Sequence, residues 1–178
     1  IWGAKGTVDA YKVGTLSQAK AGITADTVRS IRQIRISLVD AETAQRGFVI
    51  TGDTDYLAAY NDSVSRYRPA VLTLNQRAED QKTREQIRIL FNVKTRAEEK
   101  IAEMNQTIAY VNQGQRNRAN ALIRTGEGKR LMTDILDDLN ALYTLERASL
   151  DESFGTVTSI QENSFRRLVA MGAGVVLL

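Results

Sequence analysis

The side chains able to do chemistry fall into three groups. Tyr56, Tyr60 and Tyr67 recur at helical spacing beside Arg66 and Arg68. Such a set could stack on a ligand, donate hydrogen bonds and hold an anion. Glu42 and Arg46 stand four residues apart, acid before base, the favourable order for an ion pair on one helix face. Asp134, Asp137, Asp138, Glu146 and Asp151 form an acidic run. Paired carboxylates can support acid–base work, but a calcium site needs a loop that wraps oxygens around the ion. No such loop spacing is present.

Each group has a plainer role beside the chemical one. Tyrosines at this spacing are more often core residues whose hydroxyls reach water. Arg66 and Arg68 suit a solvated face, and the carboxylates read as surface charges. Glu42 and Arg46 suit an ion pair that ties the first helix to a neighbour. Tyr60, Arg66 and Tyr67 remain the candidate ligand-binding residues. Gly126-Glu-Gly-Lys129 lacks the glycine–lysine–serine or threonine spacing of a phosphate loop and follows no strand.

Composition removes most catalytic classes. The chain has 178 residues with neither cysteine nor histidine. Disulfides, thiolate nucleophiles, the usual proton shuttle and most metal ligation go with them. No catalytic residue, metal or cofactor is expected. Lys and Arg total 24 and Asp and Glu 21, interleaved along the chain, which does not make a nucleic-acid surface.

The elements that must position these residues are helices. Apolar residues recur in steps of three, four and seven, and no segment alternates as a strand would. The first stripe is Leu16, Ile23, Val28, Ile31, Ile34, Leu38, Ala41, Gln45 and Phe48. The second is Tyr56, Tyr60, Val64, Tyr67, Val71, Leu74 and Ala78. The third is Ile87, Leu90, Phe91, Lys94, Ala97, Ile101, Met104, Ile108 and Val111. The fourth is Leu122, Met132, Ile135, Leu139, Leu142, Leu150, Phe154 and Val157, with Ile160 and Phe165 beyond.

Thr51-Gly52-Asp53 supplies a helix end and the next helix's cap. Thr83 with Gln86 is a capping-box pattern, and Gly114 stands where a C-terminal glycine belongs. The glycines in Arg124–Lys129 make a break or a weak turn near the start of the fourth helix. The pattern predicts an all-α, antiparallel up-down-up-down four-helix bundle. Its first and fourth helices are overlong, about 70 Å at 1.5 Å per residue, and form a stalk. A two-helix stalk buries little alone, so a homodimer is expected. Gly3, Gly6, Gly14 and Gly22 lower helix propensity at the start of the first helix.

The run 168–178 is wholly apolar and follows Arg166 and Arg167. Spanning a bilayer takes about 20 such residues, so the run suits the start of a membrane helix. Ile1-Trp2-Gly3 suits the exit of an earlier one. The expected organisation is a juxtamembrane stalk over 1–23, a sensor bundle over 24–165 and the start of a transmembrane helix over 166–178, with lipid at both termini. The two arginines sit on the side that the positive-inside bias disfavours, so charge does not set the orientation.

The segment Asp40-Ala-Glu-Thr-Ala-Gln-Arg-Gly-Phe-Val-Ile-Thr-Gly-Asp53, followed by Tyr56-Leu57, closely resembles the signature of the third class of CHASE domains, sensory modules of bacterial receptors. Gly128-Lys-x-Leu-Met-x-x-Ile135 and Glu146-Arg-x-x-Leu150 also look like it. Alanine stands at 44 where relatives commonly carry glycine. The resemblance implies an extracytoplasmic four-helix input domain at the inner membrane, ahead of a histidine kinase, a cyclase or a chemoreceptor. Asp40, Glu42, Thr43, Arg46, Gly47, Thr51 and Gly52 are then signature residues of structural character. A small-molecule or protein signal would be relayed through the first and fourth helices. The alternative is a ligand-free spacer or dimerisation module.

Overall fold

The computed structural model describes residues 2–76 and 83–175, with side chains mainly over 21–76 and 83–152. Among the described residues all regular structure is helical: α1 (Trp2–Thr51), α2 (Asp55–Gln76), α3 (Arg84–Asn112), α4 (Arg116–Arg124) and α5 (Glu127–Val175). The glycines near the N-terminus do not interrupt α1.

Among the described residues five helices stand where four are expected. Gly126 has φ +75°, a left-handed conformation that cannot continue a helix. Thr125 secures the break. Its hydroxyl donates to the Leu122 carbonyl at 2.7 Å and accepts from the Glu127 amide at 3.2 Å. The expected fourth helix is therefore two, and the long last rod is α5.

The other joints use the residues that the sequence points to. Gly52 has φ +76° and its amide donates to the Phe48 carbonyl. Thr51 Oγ1 donates to the Gly47 carbonyl and accepts from the Asp53 amide. The Asp53 carboxylate accepts from the Asp55 amide at 3.0 Å, starting α2. Thr83 and Gln86 form the reciprocal capping box of α3. Gly114, with φ +72°, ends α3 in the left-handed turn common at helix C-termini.

The chain divides into two compact units, Ile1–Asp26 with Glu146–Leu178, and Thr27–Leu145. The first is the start of α1 with the end of α5. The second has two apolar clusters. One draws Ile31, Ile34 and Leu38 from α1 and Tyr67 to Leu74 from α2. It adds Ile89 to Ala97 from α3 and Met132 to Leu142 from α5. The other draws Ala41, Ala44, Phe48 and Val49 from α1, Tyr60 from α2, Met104 to Val111 from α3 and Ala119 from α4. Removing apolar surface from water at about 25 cal/mol per Å² is the main favourable term here.

Two stripes shift from expectation. On α3, Ile87, Phe91 and Lys94 are exposed, while Gln86, Ile89, Leu90 and Val93 turn inward. Two apolar stripes compete at the start of α3, and the one containing Val93 and Ala97 aligns with the buried positions further on. On α2, Tyr60 and Tyr67 are buried but Tyr56 is exposed. Of the remaining expected stripe, Ala78 and the side chains of Leu16, Phe154, Val157, Ile160 and Phe165 lie outside what is described. Among the described residues no helix is long and apolar enough to cross a membrane. The apolar run beginning at Leu168 is helical to Val175, and its last three positions lie outside the described residues.

Candidate functional site

One charged layer interrupts the apolar interior of the second unit. Lys100 of α3 lies between Ala97, in one cluster, and Met104, in the other. Its side chain is 3% exposed, and its ammonium sits 3.0 Å from Glu42 Oε1 of α1 and 3.0 Å from Glu103 Oε2 of α3. Arg46 reaches Glu42 Oε1 at 3.3 Å from the exposed side. The Thr107 hydroxyl donates to the Glu103 carbonyl at 2.9 Å.

Burying an ammonium this deeply is tolerable only because carboxylates compensate it. The layer also needs room from α5. A Cβ on Gly128 would come within 2.7 Å of Glu103 Oε2 and of Lys100 Nζ. Glycine at the second residue of α5 lets the helix's first turn approach the Glu103 carboxylate. Helix N-termini favour negative charge.

Near the layer the hydrogen-bonding is uneven. Tyr60 donates to Asn105 Oδ1 at 2.9 Å. Gln45 Nε2 and the Tyr67 hydroxyl are buried with no hydrogen-bond partner among the described residues. Burial pushes the Tyr60 hydroxyl up to about 12, with the Glu103 charge adding to it. Burial likewise pushes Tyr67 up to about 12, with help from Glu98. Both phenols stay neutral at ordinary pH.

The three candidate ligand-binding residues are not brought together as one polar surface. Tyr60 and Tyr67 face the interior, in different clusters. Arg66 is exposed and bonds Asp40 of α1 at 3.2 Å and Asp62 at 2.7 Å.

Each of the seven signature residues has a packing or hydrogen-bonding contact. Asp40 joins α1 to α2 through Arg66, and Glu42 joins α1 to α3 through Lys100. Arg46 neutralises Glu42 from outside. Thr43 Oγ1 donates to the Val39 carbonyl at 2.9 Å, and Thr51 closes the last turn. A Cβ on Gly47 would overlap the Tyr56 ring, and one on Gly52 would come 2.8 Å from Arg116 Nη2. Arg116 in turn donates to the Val49 and Ile50 carbonyls at 3.2 Å each, satisfying acceptors that a helix end leaves open.

Sequence reasoning missed Lys100 and Glu103, and placed Gly128 in a family-like stretch without its contact to them. The one available signal is spacing: Lys100 falls between Ala97 and Met104 at steps of three and four, on the buried stripe of α3. Of the acidic run, Asp138 and Asp134 pair with Arg96 of α3, and Glu146 is buried rather than on the surface.

Among the described residues the result is an all-helical module with one enclosed charged layer that couples α1 to α3. A family model, the CHASE3 domain, matches residues 17–153, about three quarters of the chain. The chain belongs to the CHASE3 domain family, whose members are sensor domains. The fold is similar to the crystal structure of the Rhodopseudomonas palustris histidine kinase HK9 sensor domain, with TM-score 0.64 and 21% identity, over 71% of this chain and 97% of that one. No curated protein matches significantly.

Proposed function

We propose that this chain is the extracytoplasmic input domain of a bacterial transmembrane receptor, a histidine kinase in the first instance. In this reading α1, α2, α3 and α5 form an antiparallel up-down-up-down bundle. The order of residues in the two apolar clusters supports it. Between the clusters the numbering rises along α1 and α3, from Leu38 to Ala41 and from Ala97 to Met104, and falls along α2, from Tyr67 to Tyr60. Helix α5 enters at Gly128 beside the charged layer and continues into the first cluster.

The single observation that carries the functional reading is the pairing of chain ends. Residues Ile1–Asp26 and Glu146–Leu178 form one compact unit. Helices α1 and α5 are each unbroken, from Trp2 to Thr51 and from Glu127 to Val175. A stimulus that favours one packing of the sensor over another would pass along those two helices to the membrane. A second copy would pair alongside, since two helices alone bury little apolar surface. The proposed divisions are a stalk over 1–23, the bundle over 24–165 and membrane entry from 166.

Cysteines placed along 3–22 and 150–165 of the full receptor in membranes test the relay. The crosslinking pattern is expected to change when the receptor is stimulated. An unchanged pattern under a stimulus that activates the effector rejects transmission through these helices and favours a passive spacer.

A further inference from the structure

The most exposed large apolar side chain described is Ile50, at 76%. It lies in the last turn of α1, between Gly47, which carries the Tyr56 ring, and Gly52, against which Arg116 packs. Arg116 donates to the Val49 and Ile50 carbonyls, so the start of α4 is fixed beside Ile50. Along α4, Arg116, Ile123 and Arg124 are seven and eight residues apart. At 3.6 residues per turn they lie on one side of the helix. Ile123 is 38% exposed. The end of α1 and one side of α4 thus present two isoleucines between two arginines.

The charge of α4 identifies the kind of occupant. Its nine residues include Arg116, Arg118 and Arg124 and no carboxylate. Among the described residues Arg118 bonds only the neutral Gln115 with its side chain, and Arg124 has no carboxylate partner. Two acids of the adjoining turns are already engaged. Asp53 caps α2, and Glu127 pairs with Arg130. A two-fold-related copy of this chain would set the pair Arg116 and Arg124 against the same pair, which is repulsive. A surface with apolar groups among carboxylates would be attracted and would cover both isoleucines.

We propose that the end of α1 and the edge of α4 that carries Arg116, Ile123 and Arg124, flanking the buried Ala119, form a docking surface for an acidic protein partner, with Ile50 and Ile123 as apolar contacts and Arg116 and Arg124 as charge contacts. This does not depend on the relay proposed above. A glutamate–tyrosine copolymer serves as the probe, with polyglutamate as the charge-only control. Titration calorimetry is run on the parent chain and on the I50S, I123S and R124E variants at low and high salt. Circular dichroism first checks that each variant keeps the parent's helicity and melting temperature. Binding of the copolymer is expected to exceed that of polyglutamate, to fall about tenfold in R124E and severalfold in the isoleucine variants, and to weaken with salt. Equal binding of the two polymers, or equal binding by parent and variants, overturns the proposal.

Discussion

Lys100 Nζ of α3 lies 3.0 Å from Glu42 Oε1 of α1, with the Lys100 side chain almost wholly enclosed. This contact is a tie between helices far apart in sequence. It also fixes their register. One helical turn is about 5.4 Å of rise, and a slip that large would part the buried ammonium from Glu42, leaving it Glu103 of its own helix as its one carboxylate. A charged layer of this kind stabilises less than it specifies.

The unequal cost of its parts tests that statement. Lys100→Met leaves the half-buried Glu103 without its cation and Glu42 with Arg46 alone, and is expected to destabilise by about 3 kcal/mol. The triple variant K100M/E42Q/E103Q should recover most of that loss, because the only charge left without its partner, Arg46, is exposed to water. Urea unfolding of the chain measures both. If the single and triple variants are equally destabilised, the layer matters for packing volume and not for charge.

Three left-handed glycines form a second series. Gly52, Gly114 and Gly126 have φ of 76°, 72° and 75°. A Cβ would meet nothing within 4 Å at Gly114 or Gly126, but would meet Arg116 Nη2 at Gly52. Alanine should therefore cost about 1 kcal/mol at Gly114 and Gly126 for backbone strain alone. At Gly52 it should cost more, because the arginine that caps α1 must move. In an Arg116→Ala background the excess at Gly52 should vanish, and thermal melting of the four single variants and the Gly52/Arg116 double variant reads it directly.

These two sites mark the boundary of what the sequence made legible. Glycine at a helix end has a conformational meaning that does not depend on the rest of the fold, so Gly52 and Gly114 could be placed in advance. The same holds for the Thr83 and Gln86 cap. Lys100 could not, because a lysine becomes a buried residue only when partners from another helix converge on it. Phe91 failed in the other direction. Its apolar side chain sits at helical spacing, yet at 67% exposure it faces water, since the helix can bury only one of two competing stripes. Local rules fixed the helix ends; pairing between helices decided which face is inside.

Tyr67 offers a test of an unsatisfied group. Its buried hydroxyl has no hydrogen-bond partner among the described residues, whereas that of Tyr60 bonds Asn105. Removing an orphaned polar atom should be neutral or stabilising, so Tyr67→Phe is expected to gain up to about 1 kcal/mol. Tyr60→Phe should lose about the same, from the broken hydrogen bond. Chemical unfolding at neutral pH distinguishes the two signs.

The same tyrosines set an alkaline limit. Both hydroxyls are raised to about 12 in the folded chain, mainly by burial, against an ordinary value of about 10 in the unfolded chain. Between these values the folded state holds protons that the unfolded state has released. Stability from this source is complete below pH of about 10 and falls as pH rises towards about 12. The double variant Y60F/Y67F removes both titrations and should show a shallower loss over that interval. Other tyrosines and lysines titrate there too, so the diagnostic quantity is the difference in urea midpoint between parent and double variant, followed from about pH 9 upwards. A difference that stays constant with pH would mean that these phenols ionise in the folded chain as readily as in the unfolded one, and that the interior around them is open to water.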